Sequence, residues 1–174
     1  FMGFVMFGLT ACGGDQVSTA ANGLNLHAVI SLVKRAHNAE QLEQLINEPG
    51  SINNLDLDGN HQTDFINVTE YGEGPFRGYS LSVHMPDGST QPVAEFLFRQ
   101  ESHGGVTLQV HGNAQIYGSN YYRNVQIAPG HVSTIPFVVW AFTQRPVYVS
   151  RYITHRPTYY VERRVLPVTK YRET

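Results

Sequence analysis

The hydrophobic period of the chain changes partway along, and that change restricts the folds open to it. In residues 25–48 the apolar side chains recur at helical spacing, first Leu26, Val29, Ile30 and Val33, then Leu42, Leu45 and Ile46. Between the two groups, Asn38-Ala39-Glu40-Gln41 has the form of a capping box. The first side chain accepts from an orphan helix N–H and the last reaches back to the entry of the helix. The segment therefore reads as one kinked helix or a helix pair, stopped by Pro49-Gly50. From Asp64 onward the period is two. Tyr79, Leu81, Val83 and Met85 alternate with Ser80, Ser82 and His84, which predicts a strand with one wet face. Turn residues follow at Pro86-Asp87-Gly88-Ser89, a second strand covers 93–99, and Ser102-His103-Gly104-Gly105 turns the chain again. Val106, Leu108 and Val110 mark a third strand, residues 114–117 are expected to pair back on it, and 121–127 is a weaker strand. Residues 135–142 are strongly apolar but too short for a bilayer, which takes about 20 residues, so they read as a buried strand or short helix. Helices first, then strands with short connections, predict an α+β fold. The N-terminal helix or helix pair packs on a small antiparallel β-meander, and an extended C-terminal arm follows.

Composition limits the function classes. Hydrophobic residues make up 41% of the chain and charged residues 15%, which is enough apolar material for a core and argues against global disorder. A single cysteine excludes an internal disulfide framework. The formal charge is only -2, but its distribution is uneven. Arg145, Arg151, Arg156, Arg163, Arg164, Lys170 and Arg172 face only Glu162 and Glu173 in the last stretch, so a basic tail is joined to an acidic body.

Residues 1–11 are an uncharged apolar run suited to the core of a signal peptide. The run ends in Leu9-Thr10-Ala11-Cys12, which resembles the lipobox of bacterial lipoproteins. That resemblance implies cleavage before Cys12, acylation of its thiol and anchoring to a membrane of the bacterial cell envelope. Gly13, rather than aspartate, follows the cysteine, and in a Gram-negative envelope this resembles the outer-membrane class. Residues 12–22 then form the lipidated cysteine and a flexible polar tether, residues 23–142 the α+β domain, and residues 143–174 the tail.

Between helix and sheet lies an acidic loop, residues 54–64. Asp56, Asp58, Asn60 and Asp64 stand at relative positions one, three, five and nine, and the main-chain carbonyl of Gln62 falls at position seven. Oxygens on alternate residues of a curled loop converge on one point, and calcium takes six to eight hard oxygens. The pattern resembles the calcium loops of EF-hand and dockerin-like proteins. It departs from them at position six, where His61 replaces glycine, and at position twelve, where Asn67 replaces glutamate. The loop thus has two readings: a structural calcium site pinning the helix to the first strand, or a solvated acidic turn whose aspartates cap their own backbone. More broadly, the run 53–74, with RGYSLSV at 77–83 and GNAQIYGSNYY at 112–122, resembles a group of uncharacterised bacterial lipoproteins. These have a helical segment, a D-x-D-G loop, a small sheet and a Tyr/Pro/Arg-rich end. The resemblance implies no activity.

In the tail, Arg145-Pro146-Val147-Tyr148 is echoed by Arg156-Pro157-Thr158-Tyr159. Arginine beside tyrosine can stack on flat groups and grip phosphate or carboxylate. Arg145, Tyr148, Arg151, Tyr152, Arg156, Tyr159, Arg163 and Arg164 are therefore the candidate partner-binding residues. They serve as an arm lying on an acidic body, as a contact for an anionic envelope polymer, lipid or protein partner, or, least of all in an exported chain, as a nucleic-acid surface. No catalytic set is evident. The eight histidines show no short zinc spacing, there is no nucleophile elbow or phosphate loop, and no small-molecule substrate is indicated. His27 and His37 read as surface positions. His103 and His111 could meet across a hairpin, and Glu70 and Glu73 with Asp64 could form a carboxylate pair. The primary expectation is a non-enzymatic envelope lipoprotein with a calcium loop. The alternative is a carbohydrate-active or other hydrolase domain using carboxylates on the sheet.

Overall fold

The computed structural model describes residues 23–119 and 121–153. The expected signal segment, the expected lipidation site Cys12 and the tail residues Arg156, Tyr159, Arg163 and Arg164 lie outside them. The N-terminal segment forms a helix pair, α1 (Leu26–Arg35) and α2 (Ala39–Asn47), with a break between them. Asn25 opens α1 by accepting from the amides of His27 and Ala28, and Asn38 opens α2 by accepting from the amide of Gln41. The Gln41 carboxamide reaches back to the amide of His37 at 2.7 Å, one residue before the cap. Two capped starts this close together explain why the chain makes two short helices rather than one kinked one. His27 and His37 are both exposed. The apolar stripe of α2 differs from expectation. Ala39, Leu42, Glu43 and Ile46 are the buried positions, and Leu45 is only partly covered.

Five strands follow: β1 (Ile66–Tyr71), β2 (Phe76–His84), β3 (Thr90–Gln100), β4 (Val106–Gly112) and β5 (Tyr122–Ile127). They form one sheet in the order β1-β2-β3-β4-β5 with every neighbour antiparallel, a meander. An irregularity between β2 and β3 lets Val93 pass without a partner in the register. The rest of the expected meander needs one correction. Residues 114–117 do not pair back as a strand. They form a helical turn, α3 (Ala114–Tyr117), started by Asn113, whose side chain accepts from the amide of Gln115. Two more short helices, α4 (Pro129–Val132) and α5 (Pro136–Ala141), each begin with proline in the first turn, where its missing N–H costs nothing. The apolar run 135–142 is thus the short helix of its two readings.

The two N-terminal helices and α5 cover one face of the sheet. Alternate strand residues meet them: Ile66 and Val68, Tyr79, Leu81 and Val83, Phe96 and Phe98, then Val106, Leu108 and Val110. Tyr79 stacks on Phe96 at 4.8 Å, and the Phe137 ring of α5 meets Tyr79 edge-on at 5.1 Å. This aromatic cluster is the centre of the core. The opposite face carries Tyr71, Glu95, His111 and Tyr122. There the Tyr71 hydroxyl donates to Glu95 at 2.7 Å and the His111 and Tyr122 rings touch at 4.8 Å. Among the described residues, no helix is long and apolar enough to cross a membrane.

Candidate functional site

The acidic loop is built by short-range hydrogen bonds. Asp56 accepts from the amide of Gly59 at 2.8 Å through one oxygen and from that of His61 at 3.0 Å through the other. Asp58 accepts from the Asn60 amide at 3.1 Å and from its carboxamide at 2.8 Å, and Asn60 in turn accepts from the Gln62 amide at 2.8 Å. These are Asx turns, which curl the chain tightly. The curl puts His61 at φ 68°, the one non-glycine residue with positive φ among the described residues. Position six of the calcium pattern asks for this left-handed backbone, and histidine adopts it at a steric cost that glycine escapes.

The curl gathers part of the expected ligand set. Asp56, Asp58 and Asp64 offer oxygens that all lie within 4.8 Å of one another. Oxygens this close can share one cation, and the spacing alone does not select which. Asn60 donates its carboxamide to Asp58 and accepts from the Gln62 amide. Asp64 closes the loop from the far side. Its carboxylate accepts from the Leu57 amide at 2.6 Å, its own amide donates to Leu55 at 2.7 Å, and its carbonyl accepts from Asn53 at 2.7 Å.

Helix and strand are already joined beneath this loop. The Asn47 side chain, at the end of α2, accepts from the Ile66 amide and donates to the Ile66 carbonyl, both at 2.8 Å, in the manner of an extra strand. Asn53 donates to Asn47 at 3.1 Å. The pin expected of a metal is thus supplied in part by two carboxamides.

The first residues of the tail are packed against the domain. The chain after α5 runs back along the free edge of β1, where Val149 bridges Thr69 and the Glu70 amide donates to the Tyr148 carbonyl at 2.9 Å. Arg145 grips the buried Glu70 carboxylate with two nitrogens, at 2.6 and 2.8 Å, and its guanidinium lies 3.3 Å from the centre of the Trp140 ring. Tyr148 donates its amide to Glu70 at 2.7 Å and its hydroxyl to Glu43 at 3.2 Å. Ser150 donates to the buried Asn67 at 3.2 Å. Arg145 and Tyr148, expected to face a partner, are therefore turned inward. The reason is electrostatic: Glu70 is buried, and a buried carboxylate needs a cation. Arg151 is exposed and paired with Glu40 at 3.1 Å, and Tyr152 rests on Phe65 with ring centres 4.9 Å apart.

Glu43 went unread in the sequence, although 39, 42, 43 and 46 is a helical stripe with one carboxylate in it. It is fully buried and accepts from the Val68 amide at 2.6 Å. Burial pushes its carboxyl up to about 7, against the lowering by hydrogen bonds from Val68, Ser150 and Tyr148. At Glu70 burial also pushes upward, but the hydrogen bonds from Arg145 and the Tyr148 amide, with the Arg145 charge, outweigh it and leave the carboxyl below its ordinary value. The carboxylate pair expected from Glu70, Glu73 and Asp64 is not assembled. Glu70 is held by Arg145, Asp64 closes the loop, and Glu73 is exposed in the turn after β1. His103 and His111 do not face each other either. The first sits in the turn before β4 and the second near the strand's far end, opposite Glu95.

No family model, curated protein or solved structure matches the chain.

Proposed function

We propose that this chain is a non-enzymatic lipoprotein of the bacterial cell envelope, anchored through Cys12, whose folded domain holds a structural calcium ion in the 54–64 loop. The observation that carries the metal reading is the convergence of Asp56, Asp58 and Asp64 within 4.8 Å, in a loop whose sixth position takes the left-handed backbone. An all-oxygen set on a curled loop suits a hard cation rather than a thiolate- or imidazole-seeking one. Leu9-Thr10-Ala11-Cys12 supports the anchor, and Gly13 supports the outer membrane of a Gram-negative cell. With Arg145 and Tyr148 committed to the domain, contact with an anionic envelope polymer or a protein partner falls to Arg151, Tyr152 and the basic residues after them. Calcium titration by calorimetry and thermal melting tests the loop, beside an Asp56→Ala/Asp58→Ala double variant. Millimolar calcium should raise the melting temperature of the wild type only. A wild type that neither binds nor shifts at millimolar calcium would make the loop an ordinary acidic turn.

A further inference from the structure

We propose that residues 145–150 form a proton-dependent latch on the β1 edge, tight while Glu43 holds a proton and loosened once it does not. The strap stands on two buried carboxylates of different character. Glu70 is the fixed foot: a guanidinium, the Tyr148 amide and the Tyr79 hydroxyl all meet it, at 2.6 to 3.1 Å. Glu43 is the other foot, and among the described residues it makes no ion pair. From its own helix it feels Glu40, a like charge that Arg151 partly offsets. From β1 it meets the Val68 amide, and from the strap the Tyr148 hydroxyl and Ser150. The nearby titratable groups on β1 and β2, Glu70 and Tyr79, are bonded to each other and to Arg145. Among the described residues Glu43 meets hydrogen-bond donors but no cation to balance a full negative charge.

An ionised carboxylate in that position lacks both water and a cation, which disfavours it strongly. The strap covers it, and Tyr148 is the side chain that must lift for water to enter. Lifting it breaks three bonds: the Glu70 amide to the Tyr148 carbonyl, the Tyr148 amide to Glu70 and the Tyr148 hydroxyl to Glu43. A strap joined to the sheet by one backbone bridge opens locally before the five-stranded sheet itself does. The closed state thus binds the Glu43 proton more tightly than the open one. Linkage then requires that rising pH favour opening, between the ordinary carboxylate range and the closed-state value near 7. The Arg145–Glu70 pair does not titrate in that window, because Glu70 sits below its ordinary value, so it remains as the pivot. Arg151 follows the strap directly, and loosening frees it from Glu40.

The test is amide hydrogen exchange by NMR on the full chain between pH 5 and pH 8, corrected for the intrinsic exchange rate. Protection of the Glu70 amide, which donates to Tyr148, should fall by on the order of a hundredfold as pH rises to about 7 and then level off. The amide of Phe96 in the core should keep its protection. Glu43→Gln, which cannot ionise, should abolish the fall. In case that variant does not fold, the Glu43 carboxyl carbon shift of the wild type gives an independent reading: it should titrate where the Glu70 protection stops falling. Constant protection at Glu70, an equal loss at Phe96, or an undiminished fall in Glu43→Gln would overturn the latch.

Discussion

The acidic loop and the C-terminal strap are both made of polar side chains bonded to backbone, yet they hold the molecule in opposite ways. In the loop, Asp56, Asp58 and Asn60 bond to amides two to five residues away, and their side chains are half or fully exposed. Water could replace those bonds at little cost, so the loop adds little stability until something binds its carboxylates. In the strap, Arg145 and Tyr148 reach back 75 to 105 residues to Glu70 and Glu43, where water is excluded. There each bond is expensive to lose, because it leaves a buried group unpaired. What differs between the two regions is the distance spanned and the water excluded, while the residue types are much the same.

Substitutions can break or sharpen this contrast. Arg145→Ala removes the cation of a buried pair in which Glu70 keeps only 1% of its side-chain surface. A loss of about 3 to 5 kcal/mol is expected in urea unfolding at pH 7. A cost below about 1 kcal/mol would place Arg145 among ordinary surface charges and end the contrast. Glu43→Gln comes next and acts through pH. The folded carboxyl stands near 7 against 4.5 unfolded, so its share of stability is fully present below about pH 4.5 and is lost as pH rises to 7. That span amounts to about 3 kcal/mol, and urea unfolding at pH 4.5 and pH 8 should show the slope in the wild type and its disappearance in Glu43→Gln. The loop effects are smaller. Calcium at ten times its dissociation constant should stabilise the wild type by about 1.4 kcal/mol, and the Asp56→Ala/Asp58→Ala variant not at all. Smallest is His61→Gly. It relieves the left-handed strain but loosens the unfolded chain, so its stability should stay within about 1 kcal/mol of the wild type. Calcium affinity should be kept, since no His61 side-chain atom belongs to the converging set. A large loss of affinity in His61→Gly would show that the imidazole takes part.

How much of this could be read in advance varies from residue to residue. The capping residues Asn38 and Gln41 and the alternation around Tyr79 announced their elements because the signals are local. Asp56, Asp58 and Asp64 could be grouped for the same reason: a loop of nine residues leaves few other ways to curl. Glu43 was obscured by a rule that is usually sound, namely that a glutamate on a helix faces water. Its place in the 39, 42, 43 and 46 stripe was visible, but the amide of Val68 and the strap that make the place habitable lie far along the chain. Arg145 and Tyr148 read as part of an arm that either lies on the acidic body or faces a partner, because composition says nothing about where a tail lies.

By itself, the sequence determined that helices precede strands, that the strands follow one another as a meander, and that the acidic loop curls, but not that 114–117 would be a helical turn. All of these depend on neighbours a few residues apart, through periodicity, caps and turns. Only the tertiary structure decided which carboxylates lost their water, that α2 and β1 would share Asn47, and that the start of the tail would close the free edge of β1. Those outcomes depend on what covers each group once the chain has folded, and burial is a property of the assembled layers, which no local spacing encodes.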